Sequence, residues 1–278
     1  MKKISRRSFM AAAVVSVAAL AMTACGGSAS SAASSVASSA ASSEVASSAA
    51  AAELTTVEAG KLTMATNATF PPYEMTTDSG EIEGIDVDTA KAIAEKLGLE
   101  LQIDDMDFDA ALLSVQQGKA DIVMAGVTVT DERKAVMDFS DSYATGIQSI
   151  IVPNDSDIAS PDDLAGKKIG TQRGTTGYIY CSDDFGEDSV VAYDSGLTAV
   201  QALNNGQVDA VVIDNAPATE YVAANPGLKV LDTSYAEEDY AIGMAKGSAL
   251  EDAVNKALEE LKADGTLQAI VDKYINAN

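Results

Sequence analysis

The chain contains no histidine and no tryptophan, and its only cysteines are Cys25 and Cys181. Without histidine, the Ser-His-Asp and Cys-His arrangements of nucleophilic catalysis are impossible, and so are imidazole metal ligands. Two cysteines that lie far apart in the sequence also exclude thiolate zinc sites, iron–sulfur clusters and a disulfide scaffold. The sequence therefore predicts a protein with no metal and no cofactor.

Positive charge is also scarce. Lysine and arginine together number 18 against 42 aspartates and glutamates, which gives a formal net charge of −24. Such a surface repels a phosphate backbone, so nucleic-acid binding is disfavoured. The acidity is typical of a well-solvated surface and indicates no particular partner. A length of 278 residues, 47 % of them hydrophobic, allows one or two domains with a substantial core.

Residues 1–24 have the features of a signal peptide. Basic residues are concentrated in 1–7, and residues 10–24 are small and apolar. This apolar stretch is shorter than the roughly 20 residues that a membrane-spanning helix needs. Arg6 and Arg7 resemble a twin-arginine motif, and the sequence leaves both this route and the ordinary secretory route open.

Cys25 directly follows the small residues that end this segment, Met22-Thr23-Ala24. The pattern resembles a bacterial lipobox, which predicts cleavage before Cys25 and lipidation of its thiol; a plain cleavage site beside an incidental cysteine is the alternative. Residues 26–52 are almost entirely serine and alanine, which cannot form a core. We expect residues 25–59 to form a lipidated, disordered tether, the alternative being an alanine-driven helix. The predicted location is extracytoplasmic, at the bacterial cell surface or in the periplasm, with the lipid as the only contact to the membrane.

Helical and strand patterns alternate from residue 61 to the end of the chain. Asp86 is expected to cap a helix that Gly98 ends, and Gly265 to separate the last two helices. The remaining predicted helices span 110–117, 197–204, 250–263 and 267–275. The predicted strands span 62–65, 99–103, 122–125, 147–152, 168–170, 190–192 and 210–213. This alternation is typical of an α/β fold with largely parallel sheets.

A short pattern occurs twice, about 88 residues apart. Residues 117–124 and 205–212 each run from a helix end through glycine and two further residues to aspartate and an apolar strand. The recurrence fits two similar α/β lobes. Ligands in such folds lie beyond the carboxyl ends of the strands, here at 125–128 and 213–215.

Residues 125–133 are the most informative local stretch. A strand ends in small residues, Thr130 or Asp131 can cap a new helix, and Arg133 lies in its first turn. Backbone N–H groups and a guanidinium at this place would form an anion site. An ordinary surface arginine beside acidic neighbours explains the same pattern.

Seven collinear motifs cover almost all of residues 61–278. They are Ala65-Thr66-Asn67-Ala68-Thr69-Phe70-Pro71-Pro72-Tyr73-Glu74, Gly84-Ile85-Asp86-Val87-Asp88, Met106-Asp107-Phe108, the stretch 125–133, Asp138-Phe139-Ser140, Arg173-Gly174-Thr175-Thr176-Gly177 and the stretch 209–217. In this order they resemble the extracellular solute-binding proteins of polar amino-acid ABC transporters. Each motif is modest alone, and their shared order carries the resemblance.

The resemblance implies a two-lobed periplasmic-binding-protein fold. Each lobe would be a mostly parallel sheet flanked by helices, with residues 61–143 and 236–278 in lobe 1 and residues 144–235 in lobe 2. Two crossings, near 143–147 and 234–240, would form the hinge. The implied protein is a monomer and not an enzyme: it binds a polar L-amino acid between its lobes and delivers it to a membrane permease.

The resemblance also implies roles for individual residues. Arg133 would pair with the ligand α-carboxylate, helped by Gly126, Thr128 and Thr176, and Asp214 would receive the α-ammonium. The other implied lining residues are Asn67, Phe70, Phe108, Ala125, Gln172 and Thr175, with Phe70 and Phe108 as aromatic walls. For Tyr240 two roles stay open, one at the border of the hinge and one in the core.

Asn67 stands where many relatives that bind basic or amide side chains have aspartate. Because an amide cannot pair fully with a charged side chain, this departure favours an uncharged polar ligand. Two other functions remain open from the sequence. One is a dehydratase-like enzyme on the same scaffold, which carboxylates could serve without histidine; the other is a ligand-sensing partner of a receptor.

Overall fold

The computed structural model describes residues 54–275. The predicted signal peptide, Cys25 and the tether as far as residue 53 lie outside the described residues, as do residues 276–278 of the predicted lobe 1. The predicted tether extends to residue 59, but Leu54 packs against the hydrophobic core. In addition, the Val57 N–H donates to Oδ1 of Asp121 at 2.7 Å. Residues 54–59 therefore contact the folded part of the chain.

Strands and helices alternate along most of these residues. The strands are β1 (Lys61–Thr66), β2 (Thr69–Phe70), β3 (Glu74–Thr76), β4 (Ile82–Glu83), β5 (Glu100–Asp105), β6 (Ile122–Val123), β7 (Met137–Phe139), β8 (Ala144–Pro153), β9 (Ile169–Gln172), β10 (Val190–Tyr193), β11 (Ala210–Asp214), β12 (Leu228–Val230), β13 (Ala236–Tyr240) and β14 (Gly243–Ala245). The helices are α1 (Ile85–Leu97), α2 (Phe108–Gln116), α3 (Asp131–Lys134), α4 (Thr176–Phe185), α5 (Gly196–Asn204), α6 (Asn215–Ala223), α7 (Glu251–Ala263) and α8 (Thr266–Tyr274). Two short 3₁₀ segments span Pro161–Leu164 and Glu187–Ser189.

Two mixed sheets form the body of the fold. The first has the order β5-β1-β6-β14-β7, and the second has the order β10-β9-β11-β8-β12, with β13 also paired to β8. Only β14 in the first sheet and β8 in the second run antiparallel to their neighbours. All other strands of each sheet share one direction, so the predicted α/β class with mostly parallel sheets is confirmed. A small antiparallel sheet, β2-β3-β4, was not predicted.

Helices cover both faces of each sheet. Along β1, Met64 packs into one core cluster and the next residue, Ala65, packs into another, since successive strand residues point to opposite faces. The first cluster contains residues of α1 and α7, and the second contains residues of α2. The second sheet repeats this arrangement, with Val211 and Val212 of β11 in different clusters. Among residues 54–275, no helix combines the length and the apolarity needed to cross a bilayer.

The repeated sequence pattern has the same structural role in both sheets. The carboxylate of Asp121 accepts a hydrogen bond from the Thr63 N–H of the neighbouring strand at 2.8 Å. The carboxylate of Asp209 accepts one from the Lys168 N–H, just before β9, at 2.7 Å. In both cases the aspartate joins the start of one parallel strand to the strand beside it.

The chain passes between the two sheets twice, at residues 144–148 and 236–240, which we call the crossing ribbon. The two segments pair antiparallel, with Tyr240 opposite Ala144 and Ala236 opposite Gln148. The 236–240 segment thus hydrogen-bonds within the second sheet, although the prediction assigned it to lobe 1. The reason is that backbone pairing with β8 starts before the chain returns to the first sheet. The lobe boundaries themselves stay a prediction.

Several local predictions need correction. Asp86 does not cap α1, because the helix begins at Ile85 and Gly84 is its N-cap. Asp86 is instead fully buried and makes contacts with residues far away in the sequence. Helix α2 begins at Phe108, two residues earlier than predicted, and the strand predicted at 122–125 ends at Val123. Cys181 lies buried in α4, where burial raises the pKa of its thiol to about 12.

Gly84 is a position where only glycine fits. It has a φ of 143°, and a Cβ there would lie 2.1 Å from the carbonyl oxygen of Tyr73. Gly80 also has a positive φ, of 84°, but a Cβ there would meet nothing within 4 Å.

Gly80→Ala should lower the free energy of unfolding by about 1 kcal/mol through backbone strain alone. Gly84→Ala should lower it by more than about 3 kcal/mol, because strain and overlap add. Urea unfolding measures both; equal losses would contradict this account.

Candidate functional site

All eleven predicted ligand-binding residues line one cavity, between the carboxyl ends of the parallel strands of the two sheets. The lining residues lie close together and leave a free cavity volume of only about 20 Å³. The predicted residues in its lining are Asn67, Phe70, Phe108, Ala125, Gly126, Thr128, Arg133, Gln172, Thr175, Thr176 and Asp214. Four further residues line it that the prediction did not assign to the site: Glu74, Gln148, Val212 and Ile213.

Arg133 is held in place from both sides of the cavity. Its Nη1 donates to the Thr128 carbonyl at 2.8 Å, and its Nη2 donates to the Gly174 carbonyl, beyond β9 of the second sheet, at 3.1 Å. The guanidinium lies 5.4 Å from the centre of the Phe108 ring. Only 8 % of the residue is exposed, and burial lowers the pKa of the guanidinium from its ordinary value. Since both acceptors are neutral carbonyls, the buried cation can still receive an anion.

The helix expected to assist Arg133 contributes less than the sequence suggested. Of the two predicted capping residues, Thr130 and Asp131, Thr130 is the N-cap, and its hydroxyl accepts a hydrogen bond from the Arg133 N–H at 3.2 Å. Helix α3 is only four residues long, and this backbone N–H is already engaged. The anion-binding capacity of this stretch therefore rests on the guanidinium rather than on the helix N-terminus.

Other side chains also connect the two sheets across the cavity. Gln172 Nε2 donates to Asn67 Oδ1 at 2.9 Å, and the hydroxyls of Thr128 and Thr176 lie 3.5 Å apart. The Tyr221 hydroxyl donates to the Thr69 carbonyl. The structure is therefore a closed arrangement in which both sides contribute to a single site.

Asp214 occupies the carboxyl end of β11 and is 8 % exposed. Its Oδ2 accepts a hydrogen bond from Gln148 Nε2 at 2.8 Å, and its Oδ1 accepts one from the Tyr240 hydroxyl. Burial raises the pKa of the carboxyl to about 7, against the opposing effect of the Tyr240 hydrogen bond, and the nearby Glu238 adds to the rise. A cationic group in the cavity would lower this pKa again.

Glu238 contacts three residues of the cavity lining and was not predicted from the sequence. Its Oε2 accepts hydrogen bonds from Thr176 at 2.9 Å, from Gln148 at 3.0 Å and from Thr128 at 3.2 Å. It thus joins both sides of the cavity through the crossing ribbon. The sequence did contain a signal. Glu238 and Tyr240 lie two residues apart in the strand 236–240, so both side chains point to the same face of the strand, which is buried.

Glu74 and Asp86 form a buried carboxyl pair at the edge of the site. Asp86 accepts hydrogen bonds from the Gly126 N–H at 2.9 Å and from the Tyr143 hydroxyl at 2.7 Å. Burial raises the pKa of Asp86 to about 6. Glu74 is completely buried, and burial together with the charge of Asp86 raises its pKa well above the ordinary value. Gly126 has a φ of 56°, and a Cβ there would lie 2.7 Å from the Phe70 ring, so this contact with Asp86 requires glycine.

Comparison with known proteins agrees with this architecture. Residues 62–277 match the family model described as "Bacterial extracellular solute-binding proteins, family 3". The chain is 33 % identical over 225 residues to the L-cystine-binding protein TcyJ of Escherichia coli strain K12, covering 80 % of this chain and 85 % of the relative. It is 34 % identical to a probable histidine-binding protein of Neisseria gonorrhoeae, covering 95 % and 94 %. A solved structure of an ancestral arginine-binding protein bound to arginine is 44 % identical, with a TM-score of 0.74, covering 78 % of this chain and 99 % of that one.

The raised pKa of Asp214 predicts a pH-dependent stability. The folded protein holds a proton on this carboxyl between about pH 4 and pH 7, whereas the unfolded chain releases it near its ordinary pKa. The folded state therefore binds more protons in this window, and its stability falls as pH rises through it. In ligand-free protein, the free energy of unfolding should fall between pH 4 and pH 8. Asp214→Asn should make this fall smaller by on the order of 2–4 kcal/mol. Urea unfolding between pH 4 and pH 8 measures it.

Asp188, an exposed aspartate of the second 3₁₀ segment, offers the control. Asp188→Asn should leave the pH dependence of the free energy of unfolding as it is in the unchanged protein. If Asp214→Asn gives the same slope as this control, the buried Asp214 carboxyl is not the source of the pH dependence.

Proposed function

The chain belongs to the bacterial extracellular solute-binding proteins, family 3, and we propose that it binds a free L-α-amino acid between its two sheets and delivers it to the permease of an ABC transporter. The observation that carries this proposal is a buried cation and a buried carboxyl from opposite sheets in one small cavity. Arg133 follows β6 of the first sheet, and Asp214 ends β11 of the second. A zwitterion presents the two complementary charges.

The α-carboxylate of the ligand is matched by several donors. The guanidinium of Arg133 carries N–H groups beyond the two that bind carbonyl oxygens, and its planar fork suits a carboxylate. The hydroxyls of Thr128 and Thr176 face the same cavity from opposite sides. Both hydroxyls donate to Glu238 Oε2, and a ligand carboxylate would offer them an acceptor of the same kind.

The α-ammonium is matched by Asp214. This carboxyl already has two hydrogen-bond donors, Gln148 and Tyr240, which hold its orientation. An ammonium group would favour its ionised form and offset the desolvation that raises its pKa. Neither sheet alone supplies both charges, so the ligand stabilises the closed arrangement over an open one. The crossing ribbon is where we expect the two lobes to move, as the predicted hinge positions indicate.

The relatives support an amino acid as the ligand and a role in transport. Their names record cystine, histidine and arginine, which share the α-amino and α-carboxyl groups and differ in their side chains. These relatives are binding proteins that serve transport and not enzymes, so the dehydratase-like alternative has no support from them. The monomeric state stays a prediction.

The location follows in part from the family, whose members are extracellular. We propose further that residues 1–24 direct export, that Cys25 carries a lipid, and that the Ser/Ala segment tethers the binding domain to the membrane. A flexible tether of about 30 residues has an r.m.s. span of roughly 30 Å, which holds the domain near a permease without fixing it there.

Binding tests the site directly. The purified protein, stripped of ligand by unfolding and refolding, is titrated with each of the twenty amino acids by calorimetry. Arg133→Ala should weaken binding of the best ligand by about 2–5 kcal/mol, because it removes a buried charge partner of the α-carboxylate. Arg173→Ala is the matched control. Arg173 directly follows β9, its side chain is half-exposed, and it pairs with Asp194 rather than with the cavity. Equal affinities of the two variants would remove Arg133 from the site.

The anchor has its own test. Cys25→Ser should move the protein from the membrane fraction to the soluble extracytoplasmic fraction, because the thiol that would carry the lipid is absent. Its amino-acid affinity should remain, since the site lies entirely within residues 67–238. Cys181→Ser controls for the loss of a thiol as such. Membrane association that survives Cys25→Ser would show that the chain is held there by something other than this lipid.

A further inference from the structure

Glu238 lies on the crossing ribbon, is 7 % exposed, and does not itself line the ligand cavity. On one side, its strand pairs with β8 of the second sheet, where Glu238 is opposite Gly146. On the other side, the backbone of residues 239–241 hydrogen-bonds to residues 127–129, which follow β6 of the first sheet. The carboxyl group of Glu238 is therefore held at the junction of the two sheets.

One oxygen of this carboxyl group collects donors from both sides of the cavity. Glu238 Oε2 accepts a hydrogen bond from the hydroxyl of Thr128, in the stretch after β6, at 3.2 Å. It accepts another from the hydroxyl of Thr176, the first residue of α4, at 2.9 Å. Moving the two sheets apart would separate Thr128 from Thr176. Whichever sheet Glu238 then followed, it would lose the hydroxyl on the other side, so one of these hydrogen bonds is specific to the closed arrangement.

The charge of Glu238 acts on both groups that we assign to the ends of the amino acid. It favours the charged form of the Arg133 guanidinium and so opposes the lowering of its pKa by burial. It also adds to the rise in the pKa of Asp214. Gln148 Nε2 connects the two carboxyl groups, because it donates to Asp214 at 2.8 Å and to Glu238 at 3.0 Å. Glu238 therefore influences both ends of the site from outside the cavity lining.

We propose that Glu238 is a positioning residue for amino-acid binding: its carboxylate gathers the hydroxyls of Thr128 and Thr176 at the crossing ribbon and so stabilises the closed arrangement around a ligand that it does not touch. This inference rests on the proposed function. It adds the residue that links closure of the two sheets to retention of the amino acid.

The charge of Glu238 also predicts a particular pH dependence, because Asp214 must be ionised to receive the ligand ammonium. The titratable groups that face Asp214 are Glu238 and Tyr240 of the crossing ribbon, Tyr73, Glu74 and Arg133. Since the pKa of Asp214 is raised to about 7, amino-acid affinity should rise with pH up to this value and then level off. Without the charge of Glu238 the pKa of Asp214 falls, and the same rise is complete at a lower pH.

Two substitutions separate the acceptor role of Glu238 from its charge. Glu238→Ala removes both, whereas Glu238→Gln removes the charge and keeps an acceptor oxygen of similar position. Glu237→Gln is the matched control, because Glu237 is the preceding residue of the same strand and is exposed. The full chain is titrated by calorimetry between pH 5 and pH 8 with the twenty amino acids and L-cystine. The variants are then compared on the probe that the unchanged protein binds most tightly.

Glu238→Ala should weaken binding by about 10- to 100-fold, as expected for the loss of one hydrogen bond to a charged group. Stopped-flow measurement should show this loss in the dissociation rate, because Glu238 acts once the two sheets have closed. Glu238→Gln should recover most of the affinity and should reach its plateau at a lower pH than the unchanged protein. Glu237→Gln should match the unchanged protein in affinity, dissociation rate and pH profile.

Thr128→Val tests whether the threonine hydroxyl acts through Glu238. The hydroxyl has a single proton, so it donates either to Glu238 or to a ligand carboxylate at any one time. If it acts through Glu238, Thr128→Val should weaken binding in the unchanged protein and have little further effect in Glu238→Ala. A hydroxyl that binds the ligand directly would give the same loss in both.

Three results would overturn the role of Glu238 and leave the proposed function standing. They are an affinity of Glu238→Ala equal to that of Glu237→Gln, equal losses from Thr128→Val in both backgrounds, and an unchanged pH profile in Glu238→Gln. Because Glu238→Gln preserves size and an acceptor, its pH profile decides the question even if Glu238→Ala does not fold. An unchanged protein that binds none of the probes would overturn the proposed function, and the role of Glu238 with it.

Discussion

The buried guanidinium of Arg133 is the contact on which the closed site depends. It donates to a carbonyl on each side of the cavity, Thr128 and Gly174, and it lies against the Phe108 ring. A cation in this position loses much of its hydration, and neutral carbonyls return only part of it. The closed arrangement is consequently most favourable when an anion joins the guanidinium. The same charge that orients a ligand thus also links ligand binding to closure.

The buried carboxyl groups around the cavity are the negatively charged counterparts of the buried guanidinium. Burial raises the pKa of Asp214 to about 7 and that of Asp86 to about 6, and it also raises the pKa of Glu74 well above its ordinary value. These groups weaken the fold at neutral pH, and the proposed contact of a ligand ammonium with Asp214 would offset part of that loss. Such a balance between stability and binding is common at functional sites, where charges are placed for a ligand rather than for the fold.

Local sequence signals predicted much of the fold, and they failed where a side chain serves a distant partner. The apolar spacing of 90, 93 and 94 correctly placed α1, because these residues face the core of their own sheet. Asp86 satisfied the sequence rule for a cap, yet its carboxylate binds Gly126 and Tyr143, 40 and 57 residues away. The motif resemblance selected eleven residues that share one cavity, although it could not say which of them are already engaged by the protein.

The sequence by itself determined the alternation of helices and strands, the repeated Gly-x-x-Asp units of the two sheets, and the motifs that gather at the strand ends. These properties follow from chain-local spacing, capping and turn chemistry, which a sequence displays directly. Only the tertiary structure decided which polar groups are engaged and which are free. It showed Asn67 Oδ1 bound to Gln172 across the cavity, Glu238 drawn into the site through the crossing ribbon, and Glu74 buried beside Asp86. Hydrogen-bond satisfaction and burial depend on residues far apart in the chain, so they exist only once the two sheets have come together.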